Sequence, residues 1–315
     1  MFGADVKDSS LKQRVSNSPI DVGLGATAEG QGLPRSERSR ILGIVGWVVV
    51  VTLAFIQPLT RLMLHAVDSE LLSYIPLVPF VAGYLLYIQQ RPPATAYRSS
   101  AGGTLVLLAV GAAALAAGLR FHQDLSVNDY LASMALAYVS FVLAGGFLFF
   151  GAESMAAAAF PAAFMIFLIP PPDAVVHWLE TASVLGSAEV SAFLFNITGT
   201  PLLRDGVVFA IPGIVLMIAE ECSGIHSSWV LFITSLVASH LFLKSPWRRI
   251  FLVAFVIPLA LVRNGFRIMV IGLLCAHIGP HMIDSFVHRQ GGPIFFVLSL
   301  GPLFLLLAWL RRQER

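Results

Sequence analysis

From Ile41 onward the chain alternates long apolar runs with short polar breaks. Crossing the hydrocarbon of a bilayer takes about 20 mostly apolar residues, because every backbone polar group must be satisfied inside the helix. Runs of that order cover Ile41–Leu59, Leu71–Ile88, Gly103–Leu119, Leu131–Gly151, Met155–Ile169, Gly224–Leu243, Ile250–Val262 and Ile294–Leu310. The pattern predicts an all-α polytopic membrane protein of about eight transmembrane helices. Met155–Ile169 and Ile250–Val262 are short and carry Pro161 and Pro258.

Two stretches depart from simple spans. Residues 170–223 open on Pro170-Pro171-Pro172 and form an outer-face segment before the second block of spans. Within it, Asp173–Phe195 has apolar residues at helical spacing broken by Glu180 and Glu189, which predicts an interfacial amphipathic helix. Gly199-Thr200-Pro201 and Asp205-Gly206 are turn signals beside short apolar runs, which predicts a hairpin. The second stretch, Arg263–Gly292, contains only a short apolar piece, Ile268–Ile278, and reads as a re-entrant or kinked segment.

Composition agrees with this picture. Of 315 residues, 57% are hydrophobic and 12% charged, with a mean hydropathy of +0.81; soluble domains are roughly 45–50% apolar and about 25% charged. Residues 1–34 are polar and aperiodic and read as a disordered cytoplasmic tail, leaving 35–315 as a single transmembrane domain. A net charge of +2 gives no reason to expect a nucleic-acid partner. With the N-terminus inside, the inner loops hold Arg35, Arg38, Arg40, Arg91, Arg98, Lys244, Arg248, Arg249, Arg311, Arg312 and Arg315. The outer segments hold Arg61, Arg120, Arg204, Arg263, Arg267 and Arg289. Eleven against six favours both termini in the cytoplasm.

In that orientation three chemical clusters meet one outer face. Glu220-Glu221-Cys222-Ser223-Gly224-Ile225-His226 stands at the mouth of a span, where ionisable groups are costly unless paired or wetted. Arg263-Asn264-Gly265-Phe266-Arg267 ends the next span, and His288-Arg289 precedes the last. A thiol reacts as thiolate, and a neighbouring cation raises that fraction. Arginine supplies charged donors for a developing oxyanion, and histidine moves protons near neutral pH. Taken alone, Cys222 reads more simply as a small buried hydrophobe. Cys222 and Cys275 suggest no disulfide framework. His277 and His281 have the i, i+4 spacing of a metal pair but no matching third ligand, so no metal or cofactor is expected. His65, His122, His177 and His240 read as interfacial or packed.

Glu221-Cys222-Ser223-Gly224-Ile225, then Asn264-Gly265-Phe266-Arg267, then one histidine before the last helix resembles the exosortase/archaeosortase family. The resemblance implies a bacterial cytoplasmic-membrane cysteine transpeptidase or protease. Its substrates would be exported proteins ending in a short motif such as Pro-Glu-Pro, an apolar helix and a basic tail. It implies Cys222 as nucleophile, Arg267 as the stabilising arginine and His288 as acid/base, with a thioester passed to an unidentified acceptor amine or to water. Glu220, Glu221, Ser223, Gly224, His226, Arg263 and Asn264 would bind substrate or support the site. His226 departs from the pattern, since many members have arginine there. Arg263 precedes the motif and ranks below Arg267. The glutamates are awkward beside a thiolate and could instead hold Arg267 or a basic group of the substrate. The resemblance also carries the family's frequent association with exopolysaccharide systems. Against this stand a transporter, which would build its site from discontinuous helices, and a non-catalytic scaffold in envelope assembly, which would tolerate Cys222→Ala.

Overall fold

The computed structural model describes residues 35–89, 99–212, 214–218, 223–279, 281–282 and 292–314. The expected tail, Glu220, Glu221, Cys222 and His288 lie outside these residues. Helices are α1 (Arg35–Ala54), α2 (Ile56–Asp68), α3 (Val78–Ile88), α4 (Ala101–Arg120), α5 (Val127–Phe149), α6 (Gly151–Ala157) and α7 (Ala159–Phe164). They continue with α8 (Asp173–Ile197), α9 (Ile225–Phe242), α10 (Pro246–His277) and α11 (Gly292–Arg312).

Among the described residues, α4, α5, α9, α10 and α11 are long and apolar enough to cross a membrane. The count reaches seven if each of two sharply bent pairs makes one span, so the expected eight are not reached. Proline explains most of the shortfall, since it removes a helical N–H and crowds the preceding turn. The first predicted span bends by 73° between α1 and α2, just before Pro58. Met155–Ile169 breaks into α6 and α7, whose pair with the 3-10 turn Met165–Leu168 bends by 78°. Pro161 cannot donate to the carbonyl of Ala157, and Gln89 Nε2 donates to that carbonyl instead. Leu71–Ile88 becomes a 3-10 turn, Ile75–Leu77, followed by the short α3.

The largest difference lies in α10. Ile250–Val262 and Ile268–Ile278 were expected as a span and a re-entrant piece; up to His277 they form one 32-residue helix containing Pro258. The polar block between them does not break the helix because its side chains find partners on neighbouring elements, as described below. At 1.5 Å per residue α10 is about 48 Å long, well beyond a hydrocarbon thickness of about 30 Å. Its second half is covered by α8 and a small sheet.

That sheet is antiparallel, in the order β1 (Leu203–Asp205), β2 (Val208–Ile211), β3 (Ile214–Met217). The expected hairpin is present, with Asp205 opposite Val208 and Gly206 at φ 59° in the turn. A third strand extends it, pairing Val208 with Met217 and Ile211 with Ile214. Asp173–Phe195 is helical as expected, in α8, and one face of its second half is buried. Ser187, Ala188, Ser191 and Phe195 are fully buried, and Val184, Ala188, Phe195, Phe209, Leu216, Ile268 and Met269 form one core. Arg204 of β1 reaches back to Glu189 of α8 at 2.7 Å and holds that carboxyl below its usual range.

Three further cores complete the described residues, one of them formed by Val51, Phe55, Met134 and Ala137 between α1 and α5. Leu231, Leu252, Val256, Leu303 and Leu307 join α9, α10 and α11. Leu62, Ile75, Val78, Leu131, Phe164 and Leu168 join α2, α3, α5 and the bent pair. Trp229 near the start of α9 lies beside Tyr74 and Phe167, linking the two halves. His240 stacks on Phe160 with ring centroids 3.7 Å apart, a packed histidine as expected.

Candidate active site

The chain enters α9 through Ser223 and Gly224. Gly224 sits at φ 65°, ψ 16° as the residue before the helix, a left-handed conformation that a side chain disfavours by about 1–2 kcal/mol. A Cβ there would also stand 2.9 Å from Asn264 Oδ1. Backbone geometry and the neighbouring helix therefore both require glycine. Ser223 is buried and its Oγ accepts the N–H of Ile225 at 3.4 Å.

The carbonyl of Gly224 is a hub. It accepts from Ser228 N at 3.1 Å, Ser227 Oγ at 3.1 Å and Ser228 Oγ at 2.8 Å. A fourth donor comes from α10: Arg263 Nη2 lies 3.0 Å from this carbonyl and 2.8 Å from Ser228 Oγ. Arg263 is only 7% exposed, and its Nη1 has no hydrogen-bond partner among the described residues. A guanidinium held this deep needs such partners, since burial of an uncompensated charge is costly.

Asn264, the next residue, lies between Gly224 and α8. It is 2% exposed and its Nδ2 donates to Ser187 Oγ of α8 at 3.0 Å. Ser191 Oγ donates to Ser187 O at 2.7 Å and to the carbonyl of Gly265 at 3.1 Å. A Cβ on Gly265 would meet Val190 at 2.7 Å, so glycine is what lets α8 and α10 approach this closely, as small residues do at membrane helix interfaces. Arg267, half-buried, lies one turn beyond Arg263 on α10 and, four residues on, on the same face.

The structure thus brings Ser223, Gly224, Arg263 and Asn264 together, with His226 in the first turn of α9 and Arg267 one turn from Arg263. His226 is half-buried, and its Nδ1 has no hydrogen-bond partner among the described residues. The Arg263–Asn264–Arg267 block, expected at the end of a span, lies inside a continuous helix. Sequence reasoning ranked Arg263 low because it precedes the motif; its contact with Gly224 depends on the register of α9 against α10. It also missed Ser187 and Ser191, and gave Ser228, in the same run as Cys222, no role. The small residues Ser187, Ala188 and Ser191, clustered on one face of a helix, were the available signal.

No curated protein and no solved structure matches the chain. The sequence profile described as transmembrane exosortase (Exosortase_EpsH) matches residues 65–305. That match spans most of the 315 residues and includes α9, α10 and every candidate site residue, so the chain belongs to the transmembrane exosortase family.

Proposed function

We propose that the protein is a membrane-embedded cysteine transpeptidase that cleaves C-terminal sorting signals of exported proteins at the outer face of the bacterial cytoplasmic membrane. The observation that carries this reading is the Arg263 bridge. A buried guanidinium fixes the carbonyl of Gly224, two residues from Cys222, with Arg267 on the next turn of the same helix. Membership of the exosortase family supports the same chemistry.

Depth in the membrane is consistent with an outer site. Lys244, Arg248, Arg249, Arg311 and Arg312 gather at one end of α9, α10 and α11, which the positive-inside rule assigns to the cytoplasm. Along α10, Arg263 lies about 26 Å and Arg267 about 32 Å from Pro246 at 1.5 Å per residue, roughly one hydrocarbon thickness away. The second half of α10, with α8 and the sheet, then stands at or beyond the outer interface, and the C-terminus faces inward.

In this mechanism the Cys222 thiolate attacks the scissile carbonyl of a substrate held by its C-terminal apolar helix. Arg267 donates to the oxyanion. As the tetrahedral intermediate collapses, the C–N bond breaks and His288 gives its proton to the leaving amine. An acceptor amine or water then attacks the thioester, His288 takes the proton of that nucleophile, and Cys222 leaves as thiolate. Arg263 and Asn264 hold the Ser223–Gly224 turn rather than touching the reacting atoms. The test is processing of a tagged candidate substrate in cells carrying wild type or Cys222→Ala at equal expression. The mature, shorter form should be absent with the variant; unchanged processing across several substrates would move the assignment to a scaffold or transporter.

A further inference from the structure

A second site lies far from this turn, between α1, α3, α5 and the bent α6–α7 pair. A groove of about 460 Å³ is walled by apolar side chains including Ile41, Ile44, Val48 and Leu143, with Glu37, Gln89 and Ser154 as its polar residues. Ser154 is 8% exposed and its Oγ has no hydrogen-bond partner among the described residues. Gln89 is in the same position through Oε1, because its Nε2 is committed to the carbonyl of Ala157. Buried polar atoms without partners cost about 1–3 kcal/mol each, so two of them in one apolar groove point to an occupant that supplies donors.

The dimensions decide what that occupant is. Along α1 the lining runs from Glu37 to Val48, about 17 Å at 1.5 Å per residue, close to half of a 30 Å hydrocarbon layer. An apolar groove of that length matches one hydrocarbon chain from one leaflet. At the α1 end, Glu37 is anionic, Gln89 Oε1 only accepts, and Ser154 Oγ can accept. That set is complementary to a cation bearing N–H donors.

We propose that this groove holds one acyl chain of an amine-bearing phospholipid of the α1-side leaflet, with its ammonium group at Glu37, Gln89 and Ser154. The site does not depend on the proposed peptidase chemistry.

The experiment is native mass spectrometry of the full chain released from micelles containing equal amounts of phosphatidylethanolamine, phosphatidylcholine and phosphatidylglycerol. The first has both cation and N–H donors, the second a cation without donors, the third hydroxyl donors without a cation. The expected result is one retained phosphatidylethanolamine, enriched about tenfold over each of the others, equivalent to about 1.4 kcal/mol. Glu37→Gln should bring the enrichment close to unity, and Ala162→Phe, which fills the groove, should remove the retained lipid. Both variants are checked for a wild-type melting temperature, and Glu37→Asp, which keeps the charge, should preserve the preference. Equal retention of the three lipids, retention of phosphatidylglycerol alone, or an enrichment unchanged by Glu37→Gln would overturn the proposal.

Discussion

Replacing Arg263 by methionine separates two roles that a buried arginine can play. The substitution removes a charge that is 7% exposed while keeping much of the side-chain length. None of the acceptors it leaves becomes orphaned. Gly224 O still receives Ser228 N, Ser227 Oγ and Ser228 Oγ, and Ser228 Oγ still donates to Gly224 O. Exchange of a buried ion for an apolar side chain of similar volume is often neutral or stabilising by about 1–4 kcal/mol. The melting temperature of purified Arg263→Met should therefore be unchanged or higher. Function should behave differently. The guanidinium makes two hydrogen bonds, at 3.0 and 2.8 Å, to the turn that follows Cys222. At about 1.5 kcal/mol for each bond from a charged donor, their loss amounts to about 3 kcal/mol of positioning, or roughly a 100-fold slower processing rate. Arg263→Lys keeps the charge without the planar fork and should fall between, about tenfold slow. The assay is the rate of substrate shortening in membranes at matched enzyme levels, alongside a thermal melt. Wild-type processing by Arg263→Met would refute the reasoning. So would a lowered melting temperature with activity restored on cooling, because the arginine would then serve only stability.

Two other perturbations probe the same framework. Gly224→Ala meets both a left-handed backbone, φ 65°, and Asn264 Oδ1 at 2.9 Å; it should destabilise the protein by about 2–3 kcal/mol, read as a lower melting temperature. At the other end of α10, Glu314 accepts the backbone N–H groups of Lys244 at 2.8 Å and Ser245 at 2.9 Å, and these bonds hold its carboxyl below the usual range. A lowered folded-state pKa means the carboxylate contributes stability above its unfolded pKa and loses it as pH falls through the folded value. Melting temperature should thus drop more steeply on acidification in wild type than in Glu314→Gln, and equal slopes would remove Glu314 from the account.

Much of the architecture was legible because bilayer thickness leaves a strong trace. Gly103–Leu119, Leu131–Gly151, Gly224–Leu243 and Ile294–Leu310 each became a helix within a few residues of their apolar limits. Hydropathy alone could not tell a span from a bent pair at Pro58 or Pro161, since the mean over each window stays apolar through the proline. It also failed at Arg263–Arg267, where polar residues normally mark a helix end. Their partners, Gly224, Ser228 and Ser187, lie about 35–77 positions away in the chain, and such pairing is set by helix packing. The motif residues were visible from their spacing, but the structural weight of Arg263 was not. That weight comes from the left-handed turn at Gly224 and the close α8–α10 approach at Gly265.

The central claim is that Cys222 carries the cleaved substrate as a thioester. Its most direct test is to incubate membranes with a tagged substrate, quench in acid, and identify by mass spectrometry any substrate fragment on a peptide containing Cys222. The account predicts a fragment on Cys222 that neutral hydroxylamine releases, and none on Cys275, whose thiol is buried in α10. Cleavage that proceeds at the wild-type rate with no hydroxylamine-sensitive adduct, or with the adduct on another residue, would contradict it.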